Sequence, residues 1–383
     1  MCESQLQITV DDLIQNYESK TQTDVIVLDF SKAFDVVPHQ RFLHKLDHDG
    51  IRGTTLLWIE KFLTKRTQKV VVNGSSSGSS AHVKSGVPQG TVLGPLLFLT
   101  YINDLPSSVS SQVRLFADDC LLYRPIRSRD DQELLQRDLS DLQAWADKWG
   151  MNFNPSKCVV LRVTRPRSKS LTFDYILKGQ PLDQVPSTPY LGVCLSETLE
   201  WGNHVNKIYP KANSTLGFLR RNLKACPLKL RETAYVAMVR SSLEYCSAVW
   251  DPFRQKDIDK LEKIQRSAAR FVTQNYIQNS SVTSLIQKLG WVDLQTRRKN
   301  SRLQCMFKIV NKLVEIPVRD HLIPADKRTR GGHHQAYKHI RANTTLGQNS
   351  FWHRTIPDWN SLSSATIDAQ TMAAFKGRLA DRV

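Results

Sequence analysis

Two apolar runs that end in acid restrict the architecture of this chain more than any other feature. Residues 24–29, DVIVLD, are a β-branched stretch bounded by polar residues and closing on Asp29, which is how a buried strand reads. Residues 113–123, VRLFADDCLLY, set apolar runs on both sides of Asp118 and Asp119, a strand–turn–strand pattern with the two carboxylates at the bend. Buried aspartates without partners are costly, so a fold that joins these strand ends must supply something cationic. Hard oxygen donors with room for phosphate select Mg²⁺, and two such ions would serve phosphoryl transfer. Each site also has a plainer reading, Asp29 as an N-cap and Asp118–Asp119 as hairpin-bend residues.

The surrounding pattern alternates helix and strand. Helices are expected over 39–49, with Gly50 as the stop, over 54–65 and over 91–103, with a Gly/Ser-tipped hairpin across 67–84 and the loop SGVPQG at 85–90. Leu134, Leu135, Leu139, Leu142, Trp145 and Trp149 mark an amphipathic helix closed by Gly150. From about Asn203 to Leu313 the pattern is helical. The tail from Pro317 to about Ser364 has little periodicity and is expected to pack loosely, with a last short helix over 368–379.

Charge separates the two parts. The chain carries +17 overall, yet residues 1–160 hold 17 basic against 19 acidic side chains, so all of the surplus lies beyond them. A surplus of that size favours a polyanionic partner through counterion release; a merely solvated basic surface is the duller alternative. On the segment 256–272, Lys256, Lys260, Lys263, Arg266 and Arg270 form one stripe opposite Ile258, Leu261, Ala268 and Val272. A second basic cluster comprises Arg297, Arg298, Lys299 and Arg302. Trp201, Trp250, Trp291, Trp352 and Trp359 could stack on bases, but core packing is the commoner use. Seven widely spaced cysteines without a CxxC pair, no long apolar run and a polar N-terminus point to a reduced intracellular protein, nuclear or cytoplasmic, without zinc or a membrane segment.

The ordered set LDFSKAFD (28–35), SGVPQGTVLGPLLF (85–98), FADD (116–119), NPSKC (154–158) and YLGV (190–193) resembles the successive palm motifs of reverse transcriptases, most of all those of non-LTR, LINE-type retrotransposons of the jockey-like group. YINDL, SSLEYCSAVWDP, LEKIQRSAARFV and SFWHRTIPDWNSL extend the likeness nearly end to end. The resemblance implies an α/β palm, an antiparallel sheet backed by helices, followed by a mostly helical thumb and a C-terminal extension. The divisions are a remnant of the fingers at 1–23, the palm at 24–200, the thumb at 201–316 and the extension at 317–383.

It also implies roles. Asp29, Asp118 and Asp119, with the backbone carbonyl of Phe30, would hold two Mg²⁺ ions, Mn²⁺ being a substitute. Lys157 would assist the leaving pyrophosphate. Phe34 would act as the steric gate against a 2′-hydroxyl, and Gln89 and Gly90, with Gly86, would line the nucleotide pocket. Tyr190, Leu191 and Gly192 would grip the primer, and the two basic clusters would track the nucleic-acid backbone. Asp35 and His39 are expected to serve structure. The implied activity is RNA-directed DNA polymerisation on an RNA template, a DNA primer and deoxynucleoside triphosphates, with an endonuclease supplied by another chain or by a full-length element. Only one basic residue, Lys20, precedes Asp29, so the triphosphate clamp of the fingers is expected to be missing. The chain then reads as truncated at its N-terminus. The alternative is a catalytically silent remnant that at most binds nucleic acid; a nuclease is disfavoured by the PQG loop and Phe34.

Overall fold

In the computed structural model, which describes residues 2–277, 279–325 and 333–380, DVIVLD lies at the centre of a five-stranded sheet. The strands are β1 (Gln22–Leu28), β2 (Gln112–Phe116), β3 (Asp119–Ile126), β4 (Val159–Val163) and β5 (Asp183–Gln184), in the order β5-β4-β1-β3-β2. All neighbours are antiparallel except β4 with β5. Side chains of a strand alternate between faces. On β1 and just beyond it, Ile26, Leu28 and Phe30 face the core, with Phe98 and Tyr101 of helix Leu93–Ile102 and Leu135, Leu139 and Leu142 of helix Arg129–Trp149. Val27 and Asp29, which alternate with them, are only partly covered, so one face of the acidic end stays open.

Local chemistry sets the element ends. Helix Arg129–Trp149 begins where the N–H groups of Arg127 and Ser128 donate to the Asp131 carboxylate at 2.9 and 3.2 Å, and it stops at Gly150, whose φ of 70° only glycine adopts without strain. The other expected helices of this unit appear as His39–His48, Gly53–Leu63 and Leu93–Ile102. The 67–84 hairpin forms as two short antiparallel ladders, Thr67–Gln68 with Ala81–His82 and Val71–Val72 with Ser75–Ser76.

Two compact units divide the chain: Thr21–Pro186, and the residues from Ser187 onward together with those up to Lys20. The second unit opens with a hairpin, β6 (Ser187–Tyr190) and β7 (Val193–Ser196), followed by helices that include Gly202–Asn222, Gln255–Thr273 and Leu294–Val310. The stretch expected to be a remnant of the fingers is a helix, Cys2–Glu18, that belongs to this unit. Glu3 pairs with Lys308 at 3.8 Å, Asp11 with His321 at 3.1 Å and Asp12 with Arg319, while Glu18 accepts from the Asn343 N–H at 2.7 Å. From Phe351 the tail corrects the expectation of loose packing, while residues 326–332 of that stretch lie outside the described residues. Helix Phe351–Asn360 sends Trp352 and Trp359 into a core with Phe307, Ile309 and Phe375. A few large aromatic side chains bury this segment, which is why no apolar period announces it. Among the described residues no helix is long and apolar enough to cross a membrane.

Candidate active site

The acidic ends of the two runs are neighbours. Leu28 stands opposite Cys120 and Phe116 opposite Asp119, so the next step of the register brings Asp29 beside Asp119, with Asp118 at the tip of the β2–β3 turn. Ala117 takes the left-handed φ of 53° that this turn requires. Loss of hydration, and then the negative charges of Asp118 and Asp29, push the Asp119 acid above the usual carboxylate range.

The NPSKC segment fixes Asp29. Asn154 N–H donates to the Asp29 carbonyl at 2.8 Å, the Asp29 N–H donates to Cys158 Sγ at 3.4 Å, and Lys157 Nζ lies 3.4 Å from Asp29 Oδ2. The Phe30 ring stacks on Phe153 at 4.3 Å. The bonds flanking their bridge use the Asp29 carbonyl and the Ser31 N–H, so the Phe30 carbonyl stands outside the bridge. Asp29 Oδ2 is buried and accepts no aligned hydrogen bond. The donor types, three carboxylates and a carbonyl, are those a hard divalent cation takes. Still, among the described residues no group of three or more His, Cys, Asp or Glu side chains is gathered closely enough to hold a metal ion. The acids are neighbours, not a closed ligand shell.

Phe34 stacks on Phe98 at 4.4 Å, and its carbonyl accepts the Val87 N–H at 2.8 Å, tying the SGVPQG loop to the chain just past Asp29. Gly86 is obligatory here: at φ 88° an added Cβ would lie 2.7 Å from the Phe34 and Asp35 carbonyl oxygens. His39 Nε2 lies 2.8 Å from the Gly86 carbonyl. Gln89 is exposed and donates to Asp35 Oδ1 at 3.1 Å, and Gly90 is exposed beside it. Asp35 thus orients Gln89, a duty its position in the sequence did not signal.

Within the second unit, Leu191 and Gly192 form the β6–β7 turn with φ of 46° and 81°, and Tyr190 is buried. Tyr245, which nothing in the sequence singled out, donates its hydroxyl to the Leu191 carbonyl at 3.2 Å, its ring close against Gly192. His204 Nδ1 accepts the Cys194 N–H of the same hairpin at 3.2 Å, and burial followed by the charge of Lys207 lowers its pKa to about 4.

The two basic clusters differ. Lys256, Lys263 and Arg266 are exposed on helix Gln255–Thr273, whose opposite face is buried, while Lys260 binds Asn206 Oδ1 at 2.6 Å and Arg270 donates to the Ile277 carbonyl at 3.1 Å. The 297–302 cluster is corrected in part, because it turns inward. Arg298 and Arg302 are 1% and 3% exposed and bind the buried Asp251 at 2.9 and 3.0 Å. Lys299 pairs with Asp358 at 2.8 Å and Arg297 with Glu244. The buried Asp251 and the half-buried Asp358 and Glu244, which a helical wheel does not show, draw this cluster toward the fold. All five tryptophans considered above are core residues.

The model of the family "Reverse transcriptase (RNA-dependent DNA polymerase)" matches residues 2–195. The chain belongs to the reverse-transcriptase family. Within it, the relatives are proteins of non-LTR retrotransposons. In Drosophila melanogaster the probable RNA-directed DNA polymerase from transposon X-element is 28% identical over 70% of this chain and 30% of its own length. The one from transposon BS is 26% identical over 76% and 33%. The RNA-directed DNA polymerase from mobile element jockey of the same species is 25% identical over 70% and 30%. The chain spans about a third of the length of these relatives.

Proposed function

We propose that this chain carries the nucleotidyl-transfer centre of an RNA-directed DNA polymerase. The observation that supports it best is the meeting of Asp29, Asp118 and Asp119 at one end of the sheet, with Lys157 on Asp29. In the reaction a primer 3′-hydroxyl oxygen bonds to the α-phosphorus of a deoxynucleoside triphosphate, the bond to the bridging oxygen breaks, pyrophosphate leaves and the hydroxyl proton is released. Asp29, Asp118, Asp119 and the Phe30 carbonyl are the residues that would hold Mg²⁺ or Mn²⁺, which when bound supplies charge neutralisation at the phosphates. Lys157 places a positive charge where the leaving group departs. The Phe34 ring, braced by Phe98, faces the sugar and disfavours a 2′-hydroxyl, while Gln89, aimed by Asp35, lines the nucleotide pocket with Gly90. Tyr190, Leu191 and Gly192 press on the primer, and Lys256, Lys260, Lys263, Arg266 and Arg270 follow the template–primer backbone without reading sequence. In this reading residues 24–200 serve as palm and 201–316 as thumb, and an endonuclease comes from elsewhere.

One observation favours a second reading, nucleic-acid binding without chemistry: the carboxylates are not gathered into a metal-sized group. Primer extension on an RNA template with Mg²⁺, wild type against Asp118→Ala, tests both. Extension by the wild type alone supports the polymerase; equal background in both leaves binding only. A Mg²⁺ or Mn²⁺ titration that does not distinguish the two proteins removes the metal assignment.

A further inference from the structure

The hairpin that opens the second unit is held in a conformation its own sequence does not favour. Its two-residue turn puts Leu191 at φ 46° and Gly192 at φ 81°, between the paired Tyr190 and Val193. Glycine takes a left-handed backbone freely, but a leucine there is crowded by its own side chain, and such turns favour Asn or Asp in that place. Something outside the hairpin must therefore keep the turn, and the contacts identify it as Tyr245. Its hydroxyl donates to the Leu191 carbonyl at 3.2 Å, and a Cβ added at Gly192 would lie 3.1 Å from its Cε1, so bond and ring together cover both turn residues.

Tyr245 is itself anchored. Helix Ser241–Glu244 ends at it, the chain turns away through Cys246 at a left-handed φ of 51°, and the Tyr245 carbonyl accepts the Trp250 indole N–H at 2.6 Å. Trp250 is wholly buried, and its ring meets that of His204 edge to face at 4.6 Å. His204 accepts the Cys194 N–H from the second strand of the same hairpin. Tyr245 and His204 thus hold the hairpin at its turn and along one strand, joined through a single indole. Interaction with the Cys2 thiol, ahead of burial, raises the Tyr245 phenol above its ordinary range, so the hydroxyl keeps the proton it donates. Yet Tyr245 is 44% exposed, and Gly192 is exposed beside it. The brace and the turn it holds share one open surface, which a tyrosine serving only the core would not do.

We propose that Tyr245 is a positioning residue for primer extension, fixing the Leu191–Gly192 turn and, through the turn, the 3′ end of the primer. This role rests on the polymerase reading, in which that turn presses on the primer. Nucleotide binding is assigned there to Phe34, Gln89 and Gly90 of the first unit, so it does not depend on Tyr245.

The test follows primer extension on an RNA template with Mg²⁺ by wild type, Tyr245→Phe and Tyr245→Leu. Each rate is divided by the active sites titrated in the pre-steady-state burst, so unfolded enzyme does not register. Tyr245→Phe keeps the ring and loses the bond: kcat falls about 10-fold, as expected when one aligned bond no longer holds a reacting geometry, while KM for the deoxynucleotide stays within about 2-fold. Tyr245→Leu, which loses the ring as well, falls further. In a Leu191→Asn background, where Asn–Gly forms the turn unaided, the Tyr245→Phe change lowers kcat by less than about 3-fold. Three results overturn the role: kcat unchanged in both variants, a loss confined to the nucleotide KM, or an equal loss with and without Leu191→Asn. A wild type that never extends a primer removes the polymerase reading and this role with it. Extension by the wild type that both variants match removes Tyr245 alone.

Discussion

Asp24 and Asp29 stand five residues apart along one strand segment, and the protein surrounds their carboxylates in different ways. Asp24 is 0% exposed and fully supplied with donors: Gln22 Nε2 at 2.8 Å, Tyr175 Oη at 2.8 Å, Arg162 Nε at 3.3 Å and Gln132 Nε2 at 3.4 Å. Burial, and then the Asp24 charge, push the Tyr175 hydroxyl far up. Asp29 sits on the open face, one oxygen buried without an aligned donor, with two further carboxylates and one lysine as neighbours. An acid whose every lone pair is answered from within the chain holds the fold together. An acid placed among other acids weakens the fold unless something from outside joins it.

The contrast can be broken by substitution. Asp29→Asn or Asp118→Ala should lower primer extension by roughly 10³-fold while leaving the melting of the protein nearly unchanged; a variant that unfolds but retains extension would reverse the assignment of the two strand ends. Asp24→Asn should cost about 3–5 kcal/mol in denaturant unfolding, because Arg162 is left as a buried unpaired cation, and Arg162→Met in the same chain should return part of that loss. The second unit offers a parallel case in His204, buried as a neutral ring. Its folded pKa of about 4 lies below the ordinary 6.5, so the unfolded chain takes up the proton first. Stability from this group is whole above pH 6.5 and falls by about 2–3 kcal/mol as the pH drops to 4; His204→Gln should flatten that window in unfolding curves. The smallest effect belongs to Asp119. Its acid is raised in the folded state, so ionisation is penalised there, the penalty being absent in acid and complete at neutral pH. Asp119→Asn should then stabilise slightly at pH 7 and not at all in acid, where both forms are neutral; a constant difference across pH would show that the gain is not electrostatic.

What could be read from the sequence followed from short-range pattern. Ile26 and Leu28 alternate with Val27, which marks a strand with one covered face, and the bend at Asp118 is flanked by apolar runs that pair with each other. Phe34 lies on the short helix Ala33–Val36 just past β1, and Lys157 on the segment bonded to Asp29, so both follow β1 in the chain or pair beside it. Hidden from the sequence was whatever depends on a distant partner. Arg298 and Arg302 look like the exposed Lys256 and Lys263 until Asp251 is brought under them. Nothing in the spacing of Asp11, Asp12 and Glu18 points to Arg319, His321 and Asn343, the partners that meet them.

The stacking of Phe375 on Phe307 at 4.3 Å, with the Trp359 ring 6.0 Å away, bears on how much of the reading frame must survive. Removal of the helix Met372–Ala380 would strip one wall from the aromatic interior of the second unit and uncover Trp359. That short helix, some 250 residues past the acids of the sheet, is part of what keeps the second unit's interior dry.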